Sequence, residues 1–110
     1  MANQVAQACL DACNACADAC DHCSTACLQE QDVKMMARCI ALDMDCAALC
    51  RTAAGAIARK SAFAKQLCQL CVQVCRACAE ECGKHQMDHC QACAKACREC
   101  EKACAKISPA

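Results

Sequence analysis

The chain alternates polar and apolar positions at helical spacing, and the apolar positions are made of sulfur. From Cys9 onward cysteine recurs at Cys13, Cys16, Cys20, Cys23 and Cys27, with gaps that alternate between four and three residues. At about 100° per residue these positions fall within an arc of about 80°, one stripe down one helix face. The residues opposite the stripe, Asp11, Asn14, Asp18 and Asp21, are polar. That division predicts an amphipathic helix over 9–27 whose buried face is cysteine.

The unit C-x2-C-x3-C-x2-C-x3-C within that stripe, Cys13 to Cys27, returns twice. It occupies Cys68, Cys71, Cys75, Cys78 and Cys82, then Cys90, Cys93, Cys97, Cys100 and Cys104. Between them, Met36, Cys39, Asp43, Cys46 and Cys50 keep the same offsets with two slots altered, so 32–54 reads as a fourth equivalent helix. Short breaks separate the ladders. Gln29 to Gln31 leads to Asp32, a candidate N-cap before Val33. Gly83 to Gln86 follows the third ladder, with Gly83 placed as a C-cap, and Pro109 follows the last helix. The remaining connection falls within 51–62, around Gly55 and Ser61, although the alanines there extend helix propensity past Ala54. Four long helices, short turns and a seam repeating every 3.5 residues predict an all-α, antiparallel up-down-up-down four-helix bundle with a cysteine-lined core. It spans 1–110 as one domain.

Composition changes this picture mainly by making disulfides a weak reading. Nineteen cysteines stand beside only two glycines and one proline, whereas disulfide-stapled domains are turn-rich, and an odd count cannot pair completely. The segment 1–5 has no basic stretch leading into an apolar run, and no segment approaches about 18 uninterrupted apolar residues, so a cytoplasmic protein with reduced thiols and no membrane span is expected. Twelve basic residues balance 12 acidic ones, which removes any electrostatic case for nucleic acid.

Thiols can fill a core as small hydrophobes, but packing alone gives no reason for reactive sulfur at nearly every slot. Thiolate is a soft ligand suited to copper(I), zinc and iron–sulfur clusters. Residues at i and i+4 bring two sulfurs close enough to grip one ion, and bridging sulfurs let copper(I) approach one ion per thiol. Each copper(I) then replaces one proton and the interior stays near neutral, whereas four thiolates around zinc leave about two negative charges per site. Iron–sulfur clusters call for ligands converging from loops rather than a straight ladder. C-x-x-C pairs such as Cys20/Cys23 and Cys97/Cys100 lack the strand-to-helix context of a redox motif.

With its C-x3-C pairs Cys9/Cys13, Cys23/Cys27, Cys46/Cys50, Cys78/Cys82 and Cys100/Cys104, the chain resembles the bacterial copper storage proteins. The resemblance implies a bundle filled with multiple copper(I) ions and a homotetramer. It also points to the cytosolic branch of the family. Met36 and Asp43 depart from the ladder, so the second wall is expected to bind fewer ions. Two other readings remain: a zinc or cadmium thiolate buffer resembling a metallothionein, and a thiol–disulfide redox protein.

The first and third turns share one end of such a bundle, which gathers Met35, Met36, His85, Met87 and His89. Neutral thioether and imidazole suit transient capture of copper(I), so the mouth is expected here. His85 continues the third ladder and Met36 fills a slot, making these two the expected ligands; Met35, Met87 and His89 fall on flanks or in the turn. His22 faces away from the stripe and reads as surface. The opposite end collects Val5, Ile57, Phe63, Ala64, Leu67 and Ile107, an expected apolar plug. Asp43 points at the sulfur core, where a carboxylate calls for a basic partner or water. In the second helix Ile40, Leu42, Met44 and Leu49 spread apolar surface beyond the stripe, as contact with another subunit requires.

Overall fold

Four stripes of thiol can leave water together only if the helices carrying them turn inward on one axis, and that is the arrangement observed. The computed structural model describes residues 2–107. It contains α1 (Ala2–Leu28), a 3-10 turn (Val33–Met36), α2 (Ala37–Ala58), α3 (Ala64–Cys82) and α4 (Asp88–Ile107). There is no strand among the described residues. Successive helices pack on one another and α4 closes the ring on α1, while among the described residues the diagonal pairs keep their backbones apart and meet only through side chains on the axis. The short connections make neighbours antiparallel, giving the up-down-up-down bundle expected, a rod of 46 × 19 × 18 Å.

Every one of the 19 cysteines has 0% exposure. A side chain as short as cysteine reaches a common axis only when the helices lie close, and the sequence supplies the means. Ala17, Ala47, Ala79 and Ala94 each follow the first cysteine of a C-x3-C pair, and all four are buried. Their methyls occupy the seams between helices, where a longer side chain would hold the axes apart.

The helix ends explain the differences from expectation. Asp32 precedes the 3-10 turn but makes no side-chain cap, and α2 proper begins only at Ala37. Gly55 lies inside α2, which the alanines carry to Ala58. The stop follows a Schellman pattern: Ser61 N–H donates to the Ala56 carbonyl at 2.9 Å and Lys60 N–H to that of Ile57 at 3.1 Å. Lys60 takes the left-handed position, with φ 57°. Gly83 is the C-cap of α3 with a helical φ of −64°, and a Cβ there would stand 2.9 Å from the Ala79 carbonyl oxygen. Pro109 lies outside the described residues.

At the end distal to the first and third turns, Ile57 is buried, and Leu67 and Ile107 pack on the core. Val5 and Ala64 are half-buried. Phe63 does not join the plug: it is 67% exposed. It is the N-cap residue of α3, and its N–H donates to Ser61 Oγ at 3.1 Å.

Asp43 is fully buried, and among the described residues no basic side chain pairs with it. Three thiols donate to its Oδ1 instead, Cys78 at 3.2 Å, Cys82 at 3.3 Å and Cys93 at 3.2 Å. Desolvation, reinforced by the facing Cys93, pushes the carboxyl up from 3.8 to about 8. Near neutral pH the folded chain therefore keeps a proton that the unfolded chain releases.

Two outcomes follow from this packing. Ala94→Leu should destabilise the reduced, metal-free chain by about 1–3 kcal/mol through overpacking, while Ala15→Leu on the exposed face should stay within about 0.5 kcal/mol, as chemical denaturation will read. Asp43 costs the folded state little below about pH 4 and progressively more as pH rises toward 8. In thermal scans from about pH 5 to 7.5, the advantage of Asp43→Asn over wild type should accordingly widen with pH. A constant difference would show that the carboxyl titrates normally.

Candidate metal centre

All 19 cysteines are free thiols, and their sulfurs form a continuous column. Within single helices, the Cys16–Cys20 sulfurs lie 4.0 Å apart, Cys23–Cys27 3.8 Å, Cys46–Cys50 3.9 Å and Cys100–Cys104 3.9 Å. Across helices the gaps are of the same size or shorter: Cys16–Cys46 at 3.7 Å, Cys20–Cys93 at 3.6 Å, Cys50–Cys71 at 3.5 Å and Cys39–Cys82 at 3.2 Å. Two metal–sulfur bonds of about 2.3 Å, the zinc–thiolate length, separate their sulfurs by about 3.8 Å at a tetrahedral angle, about 4.0 Å at a trigonal one and about 4.6 Å when linear. Thiols in plain contact stand at about the same separation, so three- and four-coordinate ions fit between them with little movement. The two-coordinate grip expected of an i, i+4 pair requires that pair to open.

Groups of four thiols with mutually reachable sulfurs run the length of the axis. They include Cys23/Cys27/Cys39/Cys90, Cys20/Cys78/Cys93/Cys97, Cys16/Cys20/Cys46/Cys97, Cys16/Cys46/Cys50/Cys75 and Cys13/Cys71/Cys100/Cys104. Cys16, Cys20, Cys46 and Cys97 each belong to two of these groups, so sulfurs are shared between neighbours. Cys68 faces Cys9 and Cys104 at the far end. Burial raises the Cys27 thiol and pushes Cys90 up to about 11, so metal binding there must displace protons.

The column's other end is where side chains besides cysteine meet it. Met36 is 1% exposed and belongs to the core, in the slot the ladder assigns it. His85 turns its Nε2 to Glu81 Oε2 at 3.0 Å, and Arg38 and Lys84 pair with the same carboxylate. Met35 is 66% exposed, Met87 packs partly against the core, and His22 is exposed. His89, placed by helical count in the turn or on a flank, brings its Nδ1 to 3.5 Å from Cys90 Sγ, 3.6 Å from Cys23 and 3.8 Å from Cys27. It stands in the first turn of α4, where no earlier turn of helix blocks the ring from folding over the column's end. The available signal was a histidine immediately before the first cysteine of a ladder that begins at a helix start.

A column of buried, free thiols suits soft cations. The sequence profile of the copper storage protein family matches residues 2–109. Among solved structures, the Cu(I)-bound copper storage protein BsCsp3 is 46% identical with a TM-score of 0.91, covering 94% of this chain and 98% of its own. A cytosolic copper storage protein from Streptomyces lividans, in a structure of its copper loading with five coppers, is 38% identical with a TM-score of 0.91, over 94% and 92%. The same organism's protein loaded with 10 copper equivalents gives 38% and 0.92, over 94% and 83%. No curated protein matches the chain significantly. A profile match over nearly the entire length, on a bundle whose cysteines all turn inward, establishes that the chain belongs to the copper storage protein family.

Proposed function

We propose that the chain, acting over 1–110 as one unit, is a cytoplasmic store that sequesters many copper(I) ions on its thiol column, without turnover chemistry. The observation that carries this reading is the sharing of sulfurs between adjacent four-thiol groups. Bridging thiolates bring metal and sulfur toward equal numbers, and with a univalent ion each replaced proton leaves no net charge in the low-dielectric interior. Isolated zinc sites each leave about two negative charges, a repulsion that grows with every site added to one narrow rod.

A zinc or cadmium buffer is the second reading, since four-thiol groups also suit zinc. A thiol–disulfide enzyme has weaker support, because its nucleophile must meet a partner and every thiol here has 0% exposure. No helix among the described residues is long and apolar enough to cross a membrane. The cytoplasmic assignment rests on the family and on the thiols being reduced.

The nineteen cysteines serve as the store, and Met36, His85 and His89 as stations at its mouth. Met36 offers a buried thioether; His85 takes part by exchanging Glu81 for metal. The chain assembles as a homotetramer, a reading supported by family membership and by apolar side chains outside the seam, such as Met44 at 61% exposure.

Reduced protein titrated with copper(I) against a competing chelator should load toward one ion per thiol, while zinc should saturate near one ion per about four thiols. Saturation with copper at a zinc-like ratio removes the storage reading. Sedimentation of the chain at micromolar concentration should show four copies together, and a monodisperse monomer there ends the tetramer reading.

A further inference from the structure

The two histidines at the mouth are held in opposite ways. Each pairs through Nε2 with a carboxylate, His85 with Glu81 and His89 with Glu30. Only His89 has its other nitrogen on the sulfur column. Glu30 sits in the turn that ends α1, where its N–H donates to the Cys27 carbonyl at 3.1 Å. Its carboxylate then reaches His89 Nε2 at 2.9 Å. Cys27 is thus tied to both nitrogens of that ring: to Nδ1 directly, its sulfur 3.8 Å away, and to Nε2 through the neighbouring turn.

A neutral imidazole carries its proton on one nitrogen and a lone pair on the other, and a carboxylate can only accept. We infer that Glu30 is a positioning residue for copper uptake: by accepting the Nε2–H of His89 it fixes the tautomer in which the Nδ1 lone pair faces Cys23, Cys27 and Cys90. The opposite tautomer would point an N–H at the thiols and present no donor atom to a metal. Bonds of about 2.0 Å to nitrogen and 2.3 Å to sulfur separate those atoms by about 3.5 Å at a tetrahedral angle and about 3.7 Å at a trigonal one. The three nitrogen–sulfur gaps, 3.5, 3.6 and 3.8 Å, match. The ring is 14% exposed and Glu30 31%, so the pair stands at the boundary between solvent and a column that is otherwise dry. Outer carboxylates that orient a ligating histidine also raise its basicity. The inference rests on the copper-store reading, from which His89 takes its role as a ligand.

The test has two readouts on the reduced full-length chain. In the metal-free protein, the 15N shifts of His89 report the tautomer without any copper. Wild type and Glu30→Gln, whose amide oxygen still accepts the Nε2–H, should hold the Nε2–H form, and Glu30→Ala should show a mixture. In copper(I) titration against a chelator, Glu30→Ala should weaken the first equivalent by about tenfold and leave total capacity unchanged, and Glu30→Gln should restore it toward wild type. In a His89→Ala background, removing Glu30 should change nothing further. An unmixed Nε2–H tautomer in Glu30→Ala, or an equal loss in the His89→Ala background, overturns the inference. A wild-type chain that takes up no copper sinks the storage reading instead, and the tautomer populations still decide what Glu30 does.

Discussion

A buried interior made of sulfur has to stay electrically neutral, and the rest of this structure follows from that constraint. Thiols satisfy it by keeping their protons, because burial disfavours the charged form, the largest influence on Cys27 and Cys90. Asp43 satisfies it in the same manner, its carboxyl held up to about 8 among cysteines that donate to it. A univalent cation that takes the place of a proton preserves the balance, and a divalent one does not unless charge is left elsewhere. The ladder and the cargo are two sides of one requirement.

The requirement is met at some cost to ordinary packing. Leucine and isoleucine give a bundle core shape and transfer free energy, whereas cysteine gives little of either. The compensation is proximity. Alanines beside the ladder let the four helices close to the point where sulfurs touch at 3.2 to 4.0 Å. Larger aliphatics are kept for the margins: Leu10, Ile40, Leu42, Leu67, Val72, Val74 and Ile107 pack around the sulfur rather than within it. The structure separates a core that can do chemistry from a rim that holds it.

Helical period made the cysteine stripes, the bundle and the altered slots at Met36 and Asp43 legible before any coordinates. What stayed hidden depends on how side chains turn rather than on where their Cα atoms fall. A count of 100° per residue sets His85 on the ladder and His89 off it; the rings go the other way, because Glu81 draws one aside and an open helix start lets the other fold inward. The surroundings of Asp43 were illegible for a related reason. Nothing in the linear chain says that three thiols from two other helices converge on it. Phe63 reads as plug by composition and stands exposed at the start of α3.

Because Cys16, Cys20, Cys46 and Cys97 are each common to two groups, the column has no internal walls along its middle. Cargo can migrate through it hand over hand, letting go of one sulfur as it takes the next and never meeting water. The exception is the level of Asp43, where a hard oxygen donor stands among the soft sulfurs just inside the mouth. The interior is thus less a rack of separate berths than a single conduit with a threshold near its door.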